Sequence, residues 1–411
     1  MLEHKNPNDE QLRSRAQKVI PGSRWGHMSA ASLPKGYPQY FERASGCRLW
    51  DVDGNVYIDF MCSYGPIILG HHDKEVDEAA RKQQQLGDCM NGPSGRAIEL
   101  AELMVGTIPH SDWVMFSKNG TDATTTCVTI SRAATGKRKI LTAKRAYHGA
   151  APWCTPSLVG LTAEDRAHII HYEYNDLNSL QQAVAEAGND LAAILVSAFR
   201  HDRGRDQEMP TPEFAALVRQ LCDRSDAALI VDDVRAGFRL HLGGSWELVG
   251  VKADLSAWSK ALANGYPLAA VTGSERYREA AASIFVTGSF WCAAVPMAAA
   301  LTTIRKLHAN DGPKYLQSVG QRFRNGLAAQ AKAHGVAIRQ SGPVQMPLVL
   351  FEGDVNLERG SVFCAGALRR GIYLHPDHNM FLSMAHSEAD IDRALEATDA
   401  AFREVARQFA Y

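Results

Sequence analysis

The chain has 411 residues, 45% hydrophobic and 22% charged, which suits a compact protein of two or three domains with a large core. Its formal net charge of -1 excludes a general attraction to nucleic acid or to an anionic membrane, so affinity for anions has to be built locally. Eight cysteines form neither a CxxC pair nor the Cys/His spacing of a zinc site, and no stretch approaches the roughly 20 apolar residues of a membrane span. The polar start, Met1 to Glu10, lacks an apolar signal core, so the expectation is a cytoplasmic protein with reduced thiols and no metal.

Residues 11 to 20 have helical character and stop at Pro21-Gly22. From Gly46 to Phe60 apolar and polar residues alternate around Asp53-Gly54, which predicts an antiparallel hairpin. Beyond residue 96 helical segments alternate with short apolar runs at Trp113–Phe116, Lys139–Thr142, Ala192–Val196, Ala228–Val231 and Leu268–Val271. That alternation implies an α/β fold with a mostly parallel sheet covered on both faces, which binds ligands at the carboxyl ends of its strands. A long helix is expected over 296–308, then amphipathic helices around the strand-like Gln345–Phe351, and a last helix from Glu388 to Phe409. The expected division is a large α/β domain over 71–305 and a smaller α+β domain built from 1–70 and 306–411.

Four segments carry candidate chemistry. Asn119-Gly120-Thr121 follows a strand and opens a helix, where free N–H groups, a hydroxyl and the positive end of the helix dipole suit a phosphate; Asn119 or Thr121 serving only as a cap accounts for the same residues. Lys144 to Gly149 is a strand end running into a glycine loop, and its Tyr147 either lies over a flat heteroaromatic ring or packs in the core. Asp232 ends a buried strand, where a carboxylate needs a cation: a protonated pyridine nitrogen, or Arg235 or Arg239. Lys260 sits among small residues beside Trp258, a setting that desolvates the amine and favours its neutral form. A lysine able to form a Schiff base and a carboxylate able to face a pyridinium are the two groups that a pyridoxal 5'-phosphate (PLP) enzyme must supply.

Gly120-Thr121, Tyr147-His148-Gly149, Asp232-Asp233-Val234 and Ser259-Lys260 occur in that order, and the chain resembles the class III aminotransferases of PLP fold type I over nearly its whole length. Ile20-Pro21-Gly22, Cys62 to His71, Asp232 to Arg239 and Phe381 to His386 are similar to stretches of glutamate-1-semialdehyde aminomutase and its relatives. The resemblance implies a seven-stranded-type, mostly parallel sheet domain with a smaller α+β domain made of both termini. It implies that Lys260 holds PLP and shuttles protons, that Asp232 pairs with the pyridine nitrogen, and that Val234 and Tyr147 press the two ring faces. Asn119, Gly120 and Thr121 would hold the phosphate, with His148 in the same cofactor loop. A hydroxyl from a neighbouring subunit, Thr287 or Ser289, would complete the site, which implies a homodimer.

The pocket departs from the aminomutase pattern. Ser29 stands where the aminomutase has a carboxylate-binding arginine, and His378 where it has an acidic residue; Ser197-Ala198 replaces the usual Glu-Pro and is followed by Phe199-Arg200-His201. Arg235 occupies a place where many class III enzymes carry glutamine. Candidate substrate contacts are Arg24, Trp25, His27, Tyr64, Arg200, Arg235, Trp291 and His378. The expected activity is transfer of an amino group from an amino acid or amine to a carbonyl acceptor, both small molecules. An aminomutase or a racemase uses the same lysine without a co-substrate, and a PLP-binding protein without catalysis is the remaining alternative. No Gly-x-Ser-x-Gly elbow, no Gly-x-Gly-x-x-Gly loop and no helical i, i+4 partner for His71-His72 supports a serine hydrolase, a dinucleotide enzyme or a zinc hydrolase.

Overall fold

The computed structural model describes residues 6–26 and 28–409. Its strands are, in chain order, β1 (Phe41–Ser45), β2 (Arg48–Asp51), β3 (Val56–Asp59), β4 (Trp113–Ser117), β5 (Lys139–Ala143), β6 (Ile169–Tyr172) and β7 (Leu191–Ser197). There follow β8 (Ala228–Asp232), β9 (Leu255–Trp258), β10 (Ala269–Gly273), β11 (Ile338–Ser341), β12 (Leu348–Phe351) and β13 (Ile372–Tyr373). Two compact units emerge, one comprising Met1–Asp73, Arg203–Asp206 and Lys314–Tyr411, the other Lys74–Asp202 and Gln207–Pro313.

In the first unit β2 and β3 form the hairpin anticipated around Asp53-Gly54, with Leu49 opposite Tyr57. Its turn is held by the Asp51 carboxylate, which accepts from the N–H groups of Asp53 (3.0 Å) and Asn55 (2.8 Å) and from the Tyr57 hydroxyl (2.8 Å). β1 adds antiparallel to β2 and β13 adds parallel to β3, giving the order β1-β2-β3-β13. β11 and β12 make a separate antiparallel pair. The last helix, Glu388–Gln408, starts at Ser387, whose hydroxyl accepts from Asp390 N–H while the Asp390 carboxylate accepts from Ser387 N–H.

In the second unit a seven-stranded sheet has the order β4-β10-β9-β8-β7-β5-β6. β6, β5, β7, β8 and β9 are parallel, and β10 alone is reversed, pairing antiparallel with both β9 and β4. Strict alternation along the central strands builds two cores: Ile194, Val196, Leu229 and Val231 pack on one face, Ala193, Leu195, Ala228 and Ile230 on the other. The long helix expected over 296–308 runs from Ala294 to Ala309, and Asp88 caps it by accepting from Val295 N–H at 2.8 Å. Among the described residues no helix is long and apolar enough to cross a membrane. Cys62 and Cys127 are buried and Cys292 is exposed.

Candidate functional site

β4, β5, β7, β8 and β9 all run the same way, so their carboxyl ends share one edge of the sheet. The residues that follow them gather around a cavity of about 350 Å³: Asn119 to Thr121 after β4, Tyr147 to Gly149 after β5, His201 after β7, Asp232 to Arg235 at the end of β8 and Ser259-Lys260 after β9. Register fixes the centre of this arrangement, because Asp232 lies opposite Ala257 across the β8–β9 pair and Lys260 comes three residues further on.

At one end the helix Gly120–Thr135 begins with a capping box. The Asn119 side chain accepts from Asp122 N–H (3.1 Å), and the Asp122 carboxylate accepts from Lys118 and Asn119 N–H (3.1 Å each). The cap expected of Asn119 is therefore present, and Asn119, Gly120 and Thr121 line the cavity as well. The loop after β5 is stitched to this first helical turn: Thr124 Oγ1 donates to the His148 carbonyl (2.7 Å), and Ala150 N–H donates to Thr121 Oγ1 (3.1 Å). Gly149 has φ +123°, and a Cβ there would lie 3.0 Å from the Thr121 Cα, so glycine is required both by backbone conformation and by space. Gly120 admits a different neighbour, since a Cβ on it would stand 2.7 Å from Val234 Cγ1.

Asp232 is buried; its hydrogen-bonded side-chain partner is His148, whose Nδ1 lies 2.7 Å from Asp232 Oδ2, and the Arg235 guanidinium also feels its charge. Asp232 Oδ1 accepts from Val234 N–H at 3.1 Å. Both residues of the pair line the cavity, and the buried His148 Nε2 has no hydrogen-bond partner. A buried carboxylate on a cavity wall, braced from behind by an imidazole, fits a cationic ring nitrogen in that cavity. The adjacent Asp233 is buried elsewhere and accepts from Ser245 N–H (3.0 Å); burial pushes its carboxyl up to about 7.

Lys260 has left-handed backbone, φ 43°, at the turn that follows β9, and Ser259 locks that turn by donating its hydroxyl to the Leu268 carbonyl (2.9 Å). Its ammonium is held well below the usual lysine range, first by desolvation and then by the Arg235 guanidinium, with Asp232 acting in the opposite sense. The amine is thus poised neutral, as a nucleophile and proton carrier must be. Desolvation also brings Arg235 down to about 10. Tyr147 lines the cavity at 41% exposure, leaving its ring accessible to a flat ligand.

His201 joins this wall; the sequence marks it only as part of the Phe199-Arg200-His201 that follows Ser197-Ala198, where the usual Glu-Pro is replaced. Its neighbour Arg200, a candidate substrate contact, does not line the cavity: its guanidinium is 2.7 Å from Glu208 Oε1. Thr287 and Ser289 are exposed and outside the cavity wall, in the segment after the short helix Arg278–Ser283, and Gly288 lies under the half-buried indole of Trp291. In the first unit Arg24 and Trp25 are exposed, while Tyr64 meets His378 edge-on with centroids 5.2 Å apart. His27 lies outside the described residues. Among the described residues no group of three or more His, Cys, Asp or Glu could hold a metal ion.

The family model "Aminotransferase class-III" matches residues 32–402. The chain is 49% identical to an aminopentol aminotransferase of Sphingopyxis macrogoltabida, over 97% of this chain and 94% of that protein. It is 31% identical to a glutamate-1-semialdehyde 2,1-aminomutase of Brevibacillus brevis, over 94% of this chain and 96% of that protein. The PLP internal aldimine form of the FumI protein of Sphingopyxis sp. MTA144 superposes with a TM-score of 0.96 at 48% identity, covering 98% of this chain and 97% of that one.

Proposed function

The chain belongs to the class-III aminotransferases and is a PLP-dependent aminotransferase, and from that premise we propose that its amino donor is a polyhydroxylated amine and not an α-amino acid. The observation that carries this reading is the cavity wall. Among the described residues Arg235 is the one arginine that lines it, and Asp232 and Tyr147 already act on that guanidinium, whereas Arg200 is paired with Glu208. A wall without an arginine available to a carboxylate suits a donor that has none. The relative named for an aminopentol supports the same class of donor.

PLP, when bound, supplies a ring that takes up the electron pair left at the amine-bearing carbon as that carbon loses its proton. Asn119, Gly120 and Thr121 would hold its phosphate at the helix start, Val234 and Tyr147 would confine its ring, and Asp232 would keep its nitrogen positively charged. Lys260 would anchor it and, once displaced by the donor, its neutral amine would take the proton from the amine-bearing carbon and hand it to the cofactor carbon that had carried the lysine. The acceptor takes the amino group through the same residues in reverse order. An isomerase would need no acceptor.

The proposal extends to a cytoplasmic homodimer. Phe285 and Phe290, 91% and 63% exposed, flank Thr287 and Ser289, which is the setting of an interface that carries a hydroxyl to a neighbour's phosphate. Eight cysteines without a disulfide suit a reducing compartment. The test is turnover of the purified holoenzyme with pyruvate as acceptor. A polyhydroxylated amine is expected to yield alanine mole for mole, faster than glutamate does as donor; faster turnover of glutamate would sink the donor assignment. Light scattering on a sizing column is expected to give twice the chain mass, and a monomer that retains full activity would end the shared-site reading.

A further inference from the structure

Resting on the reading that the donor is a hydroxylated amine, we propose that His201 is the residue that selects it, by hydrogen-bonding a hydroxyl on the carbon next to the amine-bearing one. The substrate class is then a 1,2-amino alcohol. Most polar groups on the cavity wall have work elsewhere: Asn119 caps a helix, Thr124 donates to the His148 carbonyl, Ser259 donates to Leu268, and His148 braces Asp232. His201 has no such assignment in the cofactor cradle, yet it lines the same wall as Lys260.

Its segment is built to hold the ring still. β7 ends at Ser197, in register with Asp232, and three residues later the chain is clamped by a two-way backbone bridge: Arg200 N–H donates to the Glu208 carbonyl (2.7 Å) and Glu208 N–H to the Arg200 carbonyl (3.1 Å). The fully buried Phe199 meets the His201 ring edge-on, with centroids 5.3 Å apart and planes at 75°. A side chain fixed in this way needs little ordering when a ligand arrives.

The chemistry of the ring matches a hydroxyl and mismatches a carboxylate. Burial first, then the Arg235 guanidinium and the basic groups of His148 and Lys260 beside it, oppose protonation, so the imidazole stays neutral. A neutral imidazole presents one donor and one acceptor, as a hydroxyl does, while a carboxylate only accepts and asks for charge in return. A site that hydrogen-bonds a substrate hydroxyl also rejects the analogue without it, because its own polar group is left unpaired.

The test compares 1-amino-2-propanol with propylamine as donors to pyruvate, using holoenzyme of the wild type, His201→Phe and His201→Asn. The wild type is expected to prefer the amino alcohol. His201→Phe should lower kcat/KM for it by about ten- to a hundredfold while propylamine stays within about twofold, and His201→Asn, which keeps a donor and an acceptor, should recover part of the loss. The absorbance of bound cofactor should be the same in all three proteins, since His201 is assigned to the donor and not to PLP. Equal losses for both amines, or an undiminished preference in His201→Phe, overturn the assignment of His201 alone. A wild type that prefers glutamate to both amines overturns the donor class, and His201 selection with it.

Discussion

Gly120→Ala tests how closely the helix start and Val234 define the cofactor cradle. The added Cβ would lie 2.7 Å from Val234 Cγ1 and 3.1 Å from Cγ2, where carbon atoms normally sit about 3.5–4.0 Å apart. Val234 must retreat by about 1 Å, and its branched side chain has few rotamers with which to do so. Overpacking of this kind costs about 1–3 kcal/mol. Because Val234 lines the cavity, the shift falls on the space assigned to the ring, and at about 1.4 kcal/mol per factor of ten PLP affinity should drop by roughly tenfold to a hundredfold. Alanine is the better helix former by about 1 kcal/mol, so the helix itself should not suffer. The assay is fluorescence titration of apoenzyme with PLP, alongside far-ultraviolet melting of the same apoenzyme. Gly120→Ala/Val234→Ala removes the obstructing methyls and should regain most of the lost affinity. A single variant that binds as tightly as wild type, or a double variant no better than the single, would refute the reasoning.

Lys260→Ala should give a protein without the yellow absorbance and without turnover; undiminished turnover would remove Lys260 from the mechanism. Asp233 offers a stability test with a definite sign. Its folded carboxyl is pushed up to about 7 from an unfolded value of about 3.9, so its favourable contribution is complete below the unfolded value and is lost as pH rises through about 7. Asp233→Asn should therefore gain on wild type in urea midpoint at pH 8 but not at pH 4, and an unchanged pH slope would count against this account. Arg200→Ala, which breaks the part-exposed pair with Glu208, should cost no more than about 1 kcal/mol and leave the donor KM within about twofold. A tenfold rise in KM would return that guanidinium to the substrate.

Much of the cofactor end could be read from the chain because its residues announce themselves locally. Gly120-Thr121 opens a helix after a strand, Asp232 ends an unbroken apolar run, and Lys260 follows a tryptophan in small-residue surroundings. β9 and β6 were harder, since Ser256 and His171 interrupt runs too short to show a period. Nor does anything in Leu268 to Val271 encode that β10 runs against its neighbours; direction is decided by how the connections pack, not by the strand's own composition. The Asp232–His148 pair joins residues 84 apart, and the sequence offered Arg235 and Arg239 as nearer partners with full charge. His201 is a solitary histidine whose meaning comes only from the strand end that carries it and the ring that steadies it.

The three-residue interval between Ala257, which faces Asp232, and Lys260 acts as a ruler. One residue of extended chain spans about 3.3 Å, so a single insertion or deletion between them would carry the amine beyond the reach of anything aligned on the carboxylate. Point substitutions in this stretch can be repaired by repacking; changes of length cannot. Anyone grafting this chemistry onto another parallel sheet would have to transplant the two strands together, with their register, since the lysine and the aspartate are separately common and only the measured offset makes them a tool.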